Sequence, residues 1–309
     1  MSGPLTQQDG VVAAEPETLE TRVLEITPAR VADVAGHEVH RALPRRGRRT
    51  VGAWCFADHA GPPPAGESEA LGIGPHPHMG LQTVTWVLAG EILHTDSLGS
   101  EQTIRPGQLN LMTAGRGVAH AEATLDGRGM HAMQLWVAQP ESTRHGAPAF
   151  EHHAELPRAE IDGTEVTVIT GSYAGAQSPA RADTALVGAQ LVLRGETTVP
   201  LRPDFEHALI VLDGVVQIED RPVQPSDLAY LGTGRDELHL RSTGTAHALL
   251  LGGEPFEAPL LMWWNFVARS RDEVDEAYRE WQSESDRFGT VRSHDARVPA
   301  PVPFWWTAS

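Results

Sequence analysis

His76-Pro-His78 carries two imidazoles two residues apart, and His120-Ala-Glu122 repeats that spacing with one imidazole and one carboxylate. Side chains at i and i+2 of an extended segment share a face, so each pair points one way. If the two segments are neighbouring strands and both pairs face inward, three nitrogens and one oxygen converge on a single point. That is a ligand set for a divalent transition metal: neutral imidazole suits Fe, Ni, Cu and Zn, and one carboxylate lowers the charge of the site without saturating it. A six-coordinate ion held this way keeps two positions open for a chelating substrate, or for a substrate atom and dioxygen. A lone His-X-His more often reflects surface or hydrogen-bonding histidines, and it is the second pair that turns the reading towards metal. Glu122 is also the candidate proton acceptor. His59, His94, His131 and His207 have no such partner pattern and read as surface or core histidines, with His59 near Cys55 placed at a barrel mouth.

Ligands of this kind need a rigid frame, and most of the chain supplies short β-branched and aromatic segments punctuated by Gly, Pro, Asp and Asn, the pattern of a sandwich or barrel. Thr83 to Leu88 and Gln108 to Met112 read as strands. One clear helix is expected over Arg271 to Gln282, where Val274, Ala277, Tyr278 and Trp281 recur at helical spacing, packing on a barrel. The chain also resembles itself. Leu88-Ala-Gly90 and Leu212-Asp-Gly214 each precede a Pro-initiated turn and strand, and Pro106-Gly-Gln-Leu109 leading to His120 parallels Pro225-Ser-Asp-Leu228 leading to His239. Two copies of one barrel follow. Aligning them sets Pro200 opposite His76, Arg202 opposite His78, His239 opposite His120 and Arg241 opposite Glu122, so the second barrel is expected to bind no metal.

Composition narrows the partners. Lys and Arg number 24 against 41 Asp and Glu, a formal net charge of -17, which opposes direct binding to nucleic acid. The one dense basic stretch, Arg41, Arg45, Arg46, Arg48 and Arg49, reads as a solvated loop before a strand. No segment has the apolar length of a membrane span, and the first twenty residues lack the basic start and apolar block of a signal peptide. A single cysteine, Cys55, excludes an intrachain disulfide and reads as a buried small hydrophobe. A cytoplasmic location is the default expectation.

Asp58-His-Ala-Gly-Pro62, His76-Pro-His-Met-Gly80, Thr83-Val-Thr-Trp86 and Met112-Thr-Ala-Gly-Arg-Gly-Val-Ala-His-Ala-Glu122 resemble the pirin pattern, the last being the most specific. Gly253-Glu-Pro255, Asn265-Phe-Val267 and Arg287-Phe-Gly289 resemble that family's C-terminal part, so the likeness runs from about Arg22 to Gly289. The resemblance implies an all-β bicupin: two tandem jelly-roll barrels of the cupin type with a short C-terminal α-helix. The expected organisation is a flexible arm at 1–20, the metal-bearing barrel at 21–145, a linker region at 146–180, and the metal-free barrel with helix and tail at 181–309. The resemblance also implies iron held by three His and one Glu, which map onto His76, His78, His120 and Glu122. The sequence departs from the family at Met79, where Arg is frequent, at Gln82, where Glu is, and at Ala121, where Ser is. Met79 and Gln82 are expected at the pocket rim.

Pirins that act as quercetin 2,3-dioxygenases make the leading expectation a dioxygenase acting with Fe(II) and O2 on a small aromatic or enolic substrate, a flavonol or catechol. Others are transcriptional cofactors or partners of metabolic enzymes, which gives the alternative of a metal-binding interaction protein; the acidic surface and the aromatics Trp263, Trp264, Phe304, Trp305 and Trp306 motivate it. Zn, Ni, Mn or Cu also suit the ligand set, and a hydrolytic or isomerising reaction is the third possibility.

Overall fold

The computed structural model of the chain describes residues 23–62, 72–125, 129–292 and 296–307, so the expected arm at 1–20 lies outside the described residues. In chain order the first strands are β1 (Glu25–Thr27), β2 (Arg30–Val34), β3 (His37–Leu43), β4 (Trp54–Ala60), β5 (Gly72–His78), β6 (Leu81–Ala89), β7 (Ile92–Asp96), β8 (Glu101–Ile104), β9 (Leu109–Thr113), β10 (Val118–Thr124), β11 (His131–Ala138) and β12 (Ala149–His153). There follow β13 (Arg158–Ile161), β14 (Thr164–Tyr173), β15 (Ala176–Gln177), β16 (Leu186–Leu193), β17 (Glu196–Pro200), β18 (Glu206–Asp213), β19 (Val216–Ile218), β20 (Arg221–Val223), β21 (Leu228–Gly232), β22 (Glu237–Ser242) and β23 (Ala246–Gly253). The chain ends with β24 (Leu261–Trp263), β25 (Phe266–Ala268), α1 (Arg271–Gln282) and α2 (Phe304–Thr307). Both expected strands and the expected helix are present.

Four sheets make two barrels. A seven-stranded sheet, β12-β9-β6-β11-β4-β3-β2, faces a four-stranded sheet, β5-β10-β7-β8. The second barrel repeats the plan with β1-β21-β18-β23-β16-β14-β13, where β15 is added to β14, facing β17-β22-β19-β20. Strands of the 146–180 stretch join both large sheets: β12 pairs with β9, while β13 and β14 lie in the second barrel. The ends of the chain cross over as well. β1 pairs with β21, and β24, β25 and α1 pack on the outer side of β5 and β10, where Met79, Ala119 and Ala121 meet Trp264, Phe266, Val274 and Trp281.

Alternation along the strands explains where the apolar surface goes, since one face of each large sheet covers its own barrel and the other covers the partner barrel. Val84, Trp86, Leu109, Leu111, Met133 and Leu135 pack between the barrels against Ile210, Leu228, Leu249 and Leu251. The junction is also bonded: the Trp54 indole N–H reaches the carbonyls of Val187 at 3.1 Å and Gly252 at 3.2 Å, and the Glu206 carboxylate accepts from the Gly52 N–H at 2.7 Å and from the Tyr230 hydroxyl at 2.8 Å. Each Leu or Val buried this way contributes roughly 1.5–3 kcal/mol of transfer free energy.

Candidate metal centre

β5 and β10 run antiparallel with His76 directly opposite His120 and His78 opposite Val118. The register slips between His120 and Glu122, where β5 carries one extra residue at Gly74-Pro75. This bulge lets both Ile73 and His76 face inward, which strict alternation would forbid. Gly80 closes the turn after His78 at φ +71°, with Val267 O 2.1 Å from where a Cβ would stand, so only glycine fits there. His76, His78, His120 and Glu122 are all buried. One nitrogen from each of the three imidazoles falls within 4.8 Å of the others, and His120, Glu122 and His94 form a second such group.

The rings are fixed by their far nitrogens. His76 Nδ1 donates to the Gly74 carbonyl at 2.9 Å and His78 Nδ1 to the Asn265 carbonyl at 3.2 Å. A carbonyl can only accept, so in both neutral rings Nε2 is the unprotonated, acceptor nitrogen. His78 Nε2 lies 3.1 Å from His120 Nε2, close enough for one proton or one cation to be shared between the two rings. Burial disfavours the charged form of all three imidazoles. It pushes the His76 imidazole down to about 4 and leaves His78 and His120 well below the ordinary value, each neighbouring imidazole adding to the effect. The Glu122 carboxyl sits below its ordinary range although burial opposes its ionisation. Neutral imidazoles and an ionised carboxylate are the protonation states a divalent cation requires, so the donor set fits one.

Around this cluster, the Thr85 hydroxyl lies 3.3 Å from Glu122 Oε1 and 3.0 Å from Gln134 Oε1. One hydroxyl proton cannot serve two acceptors. Donation to the charged carboxylate is the stronger bond, and turning the Gln134 amide lets its nitrogen, otherwise buried without a partner, donate to Thr85. Thr85 and Gln134 belong to a row of cross-strand neighbours inside the large sheet, Arg41, Asp58, Gln134, Thr85 and Asn110 in order. Arg41 and Asp58 close a bidentate ion pair with both contacts at 2.7 Å, and burial still leaves the Asp58 carboxyl above its ordinary value. Apolar residues bound the row on both sides: Phe56, Leu81, Met112 and Trp136 on one, Val39, Ile73, Val87 and Ala132 on the other. Trp136 also meets the His78 ring edge-on at 5.2 Å.

The structure brings His76, His78 and His120 into one group and Glu122 into a second with His120 and His94, and it changes several neighbouring expectations. His94, read as an unpartnered histidine, is buried opposite Glu122, 3.3 Å from His120 Nδ1 and 3.2 Å from an Asp96 oxygen. His59 lies between the barrels rather than at a mouth, 2.8 Å from Ser226 Oγ and 2.7 Å from His131 Nε2, and burial lowers it to about 3. Arg41 and Arg48 do not belong to a solvated loop: Arg41 is inside the barrel, and the Arg48 guanidinium stacks 3.3 Å over the Tyr230 ring. Met79 and Gln82 do not line the cluster. Met79 packs outward under the C-terminal segment, and Gln82 points to the same side as Val84 and donates to Thr113 at 3.0 Å. Cys55 is buried, its thiol pushed up to about 12 by burial, as a small hydrophobe would be.

The self-alignment is shifted as well. In the second barrel His239 pairs with Thr198, and His239 and Arg241 are exposed while Leu238 and Leu240 turn inward. The inward positions matching His76, His78, Val118 and His120 are Thr197, Val199, Leu238 and Leu240, none a metal-ligand type. A one-residue slip in strand register moves every side chain to the other face, which sequence similarity at turns does not detect.

Comparison with known proteins follows the same two-part plan. Residues 36–137 match the pirin family profile and 186–289 the profile of the pirin C-terminal cupin domain. A protein of Pseudomonas aeruginosa named "putative quercetin 2,3-dioxygenase" is 46% identical over 295 residues, covering 94% of this chain and 93% of that protein. A pirin-like protein of Caulobacter vibrioides is 34% identical over 283 residues, covering 88% and 97%. Among solved structures, a quercetin 2,3-dioxygenase from Acinetobacter baumannii superposes with a TM-score of 0.86 at 46% identity, covering 91% of this chain and 95% of that one.

Proposed function

The chain belongs to the pirin family, and on that footing we propose that it is a metal-dependent dioxygenase cleaving the ring of a flavonol or a related enol or catechol. The observation that carries the reading is the group of inward imidazole nitrogens of His76, His78 and His120, with the Glu122 carboxylate beside His120, inside a barrel closed on both sides by apolar residues. These four residues would hold the ion, with Fe(II) first among the candidates and Zn, Ni, Mn or Cu compatible with the same donors. Bound there, Fe(II) would supply Lewis-acid polarisation of substrate oxygens and redox chemistry with dioxygen.

The chain's own residues supply the rest. Glu122 accepts the proton of the substrate hydroxyl as it becomes an enolate, and the Thr85 hydroxyl donates to its Oε1 and orients the carboxylate. Asn110 Nδ2, a buried donor without a partner among the described residues, sits in the same row and suits a substrate oxygen. The apolar layers exclude water from the reactive anion. An interaction role draws less support, since Trp263 and Trp264 are buried and, of the five motivating aromatics, Trp306 alone is classed as exposed.

Oxygen uptake by Fe(II)-reconstituted protein tests the proposal. Uptake dependent on a flavonol is expected, with Glu122→Gln lowering turnover by roughly 100-fold or more. No uptake across flavonols and catechols would refute the proposed activity.

A further inference from the structure

We infer that Asp96 and His94 are positioning residues that set the tautomer of His120 and thereby free its Nε2 for the metal; the inference rests on the metal reading above. Asp96 stands at the end of β7 with both carboxylate oxygens committed. Oδ1 accepts the backbone N–H groups of Leu98 and Ser100, each at 2.9 Å, and Oδ2 faces His94 Nε2 at 3.2 Å. A carboxylate whose Oδ1 already takes two backbone N–H groups accepts at Oδ2 as well, so His94 carries a proton on Nε2 and, as a neutral imidazole, presents Nδ1 as an acceptor. That Nδ1 lies 3.3 Å from His120 Nδ1, which must then be the donor, and the lone pair of His120 is left on Nε2. The His94 ring is held in plane by Phe150, stacked at 4.5 Å and 16°. His76 and His78 reach the same tautomer through single carbonyls, whereas His120 reaches it through a two-residue relay. Such outer partners orient a ligand ring and fix which nitrogen binds.

The geometry makes one substitution diagnostic. In Asp96→Asn the amide oxygen must stay on the Leu98 and Ser100 N–H groups, which places the NH2 against His94. His94 then accepts at Nε2 and carries its proton on Nδ1, and that proton faces His120 Nδ1. His120 is driven to the Nε2–H form, which cannot bind a metal.

Nitrogen-15 spectra of histidine-labelled, Zn(II)-loaded protein, together with Zn(II) affinity by chelator competition, test the relay. The parent is expected to show His94 protonated on Nε2 and His120 on Nδ1. Both Asp96→Asn and His94→Ala are expected to keep the parent's thermal unfolding profile while weakening Zn(II) binding by ~10–100-fold. His94→Gln, whose amide again offers one acceptor and one donor, should recover most of that loss. Three results overturn the relay while leaving the metal reading intact: His94 protonated on Nδ1 in the parent, parent-like affinity in Asp96→Asn, or a His94 nitrogen bearing the shift of a metal ligand. A parent that takes up no Zn(II) overturns the metal reading and this inference with it.

Discussion

The two barrels share a strand plan and differ inside. The first holds four imidazoles, those of His76, His78, His94 and His120, with Glu122, the Arg41–Asp58 pair and a row of polar side chains between two apolar layers. The second is filled by Val168, Leu191, Val199, Leu209, Val211, Leu231, Leu240 and Leu250. Burying ionisable groups is unfavourable unless each is paired or bound to metal, whereas aliphatic filling stabilises directly. One interior thus carries the candidate metal ligands, and the other, sharing a large apolar junction with it, is aliphatic. The interiors differ at inward strand positions while the strand plan is kept, as one fold can carry different sites.

Removing one half of a buried ion pair should have the largest effect on folding. Asp58→Ala leaves Arg41 charged inside the first barrel and is expected to cost ~3–5 kcal/mol in urea unfolding. A loss under 1 kcal/mol would mean that the polar row is not a dry, paired interior. Next, Leu250→Ala in the second barrel is expected to cost ~2–5 kcal/mol while the folded protein keeps its metal stoichiometry. Loss of metal without loss of stability there would erase the division of labour.

Acid should act on the first barrel of metal-free protein. Burial depresses His76 to about 4 and His78 and His120 well below the ordinary value, so below about pH 6.5 the unfolded chain binds protons that the folded chain refuses. Stability contributed by these groups is unaffected above that pH and falls as pH drops from about 6.5 towards 4, by on the order of 3 kcal/mol for His76 alone. His76→Asn should flatten the dependence in unfolding measured at several pH values, and an unchanged slope would remove the imidazoles as its source. The smallest effect is expected from His239→Ala, an exposed position in the second barrel, whose stability should stay within ~0.5 kcal/mol of the parent.

Much of this plan is legible in the sequence because period and spacing report which face a residue takes. The helix at Arg271–Gln282 and the convergence of His76, His78 and His120 both follow from such periods. What escapes is face and partner at single positions. His94-Thr-Asp96 has the same two-residue spacing as the ligand pairs, so its signal was present, yet its meaning depends on β7 lying beside β10. The misplaced alignment of His239 arose because turns repeat between the barrels while strand register shifts. Arg41 gave no local sign of burial, since its partner Asp58 lies on the next strand.

Metal stoichiometry of purified protein after Fe(II) or Zn(II) loading and desalting, compared among the parent, His120→Ala and His239→Ala, tests the central contrast most directly. One equivalent per chain is expected in the parent and in His239→Ala, and little or none in His120→Ala with its fold intact. Equal stoichiometry in all three, or equal loss in both variants, would contradict a single metal centre in the first barrel.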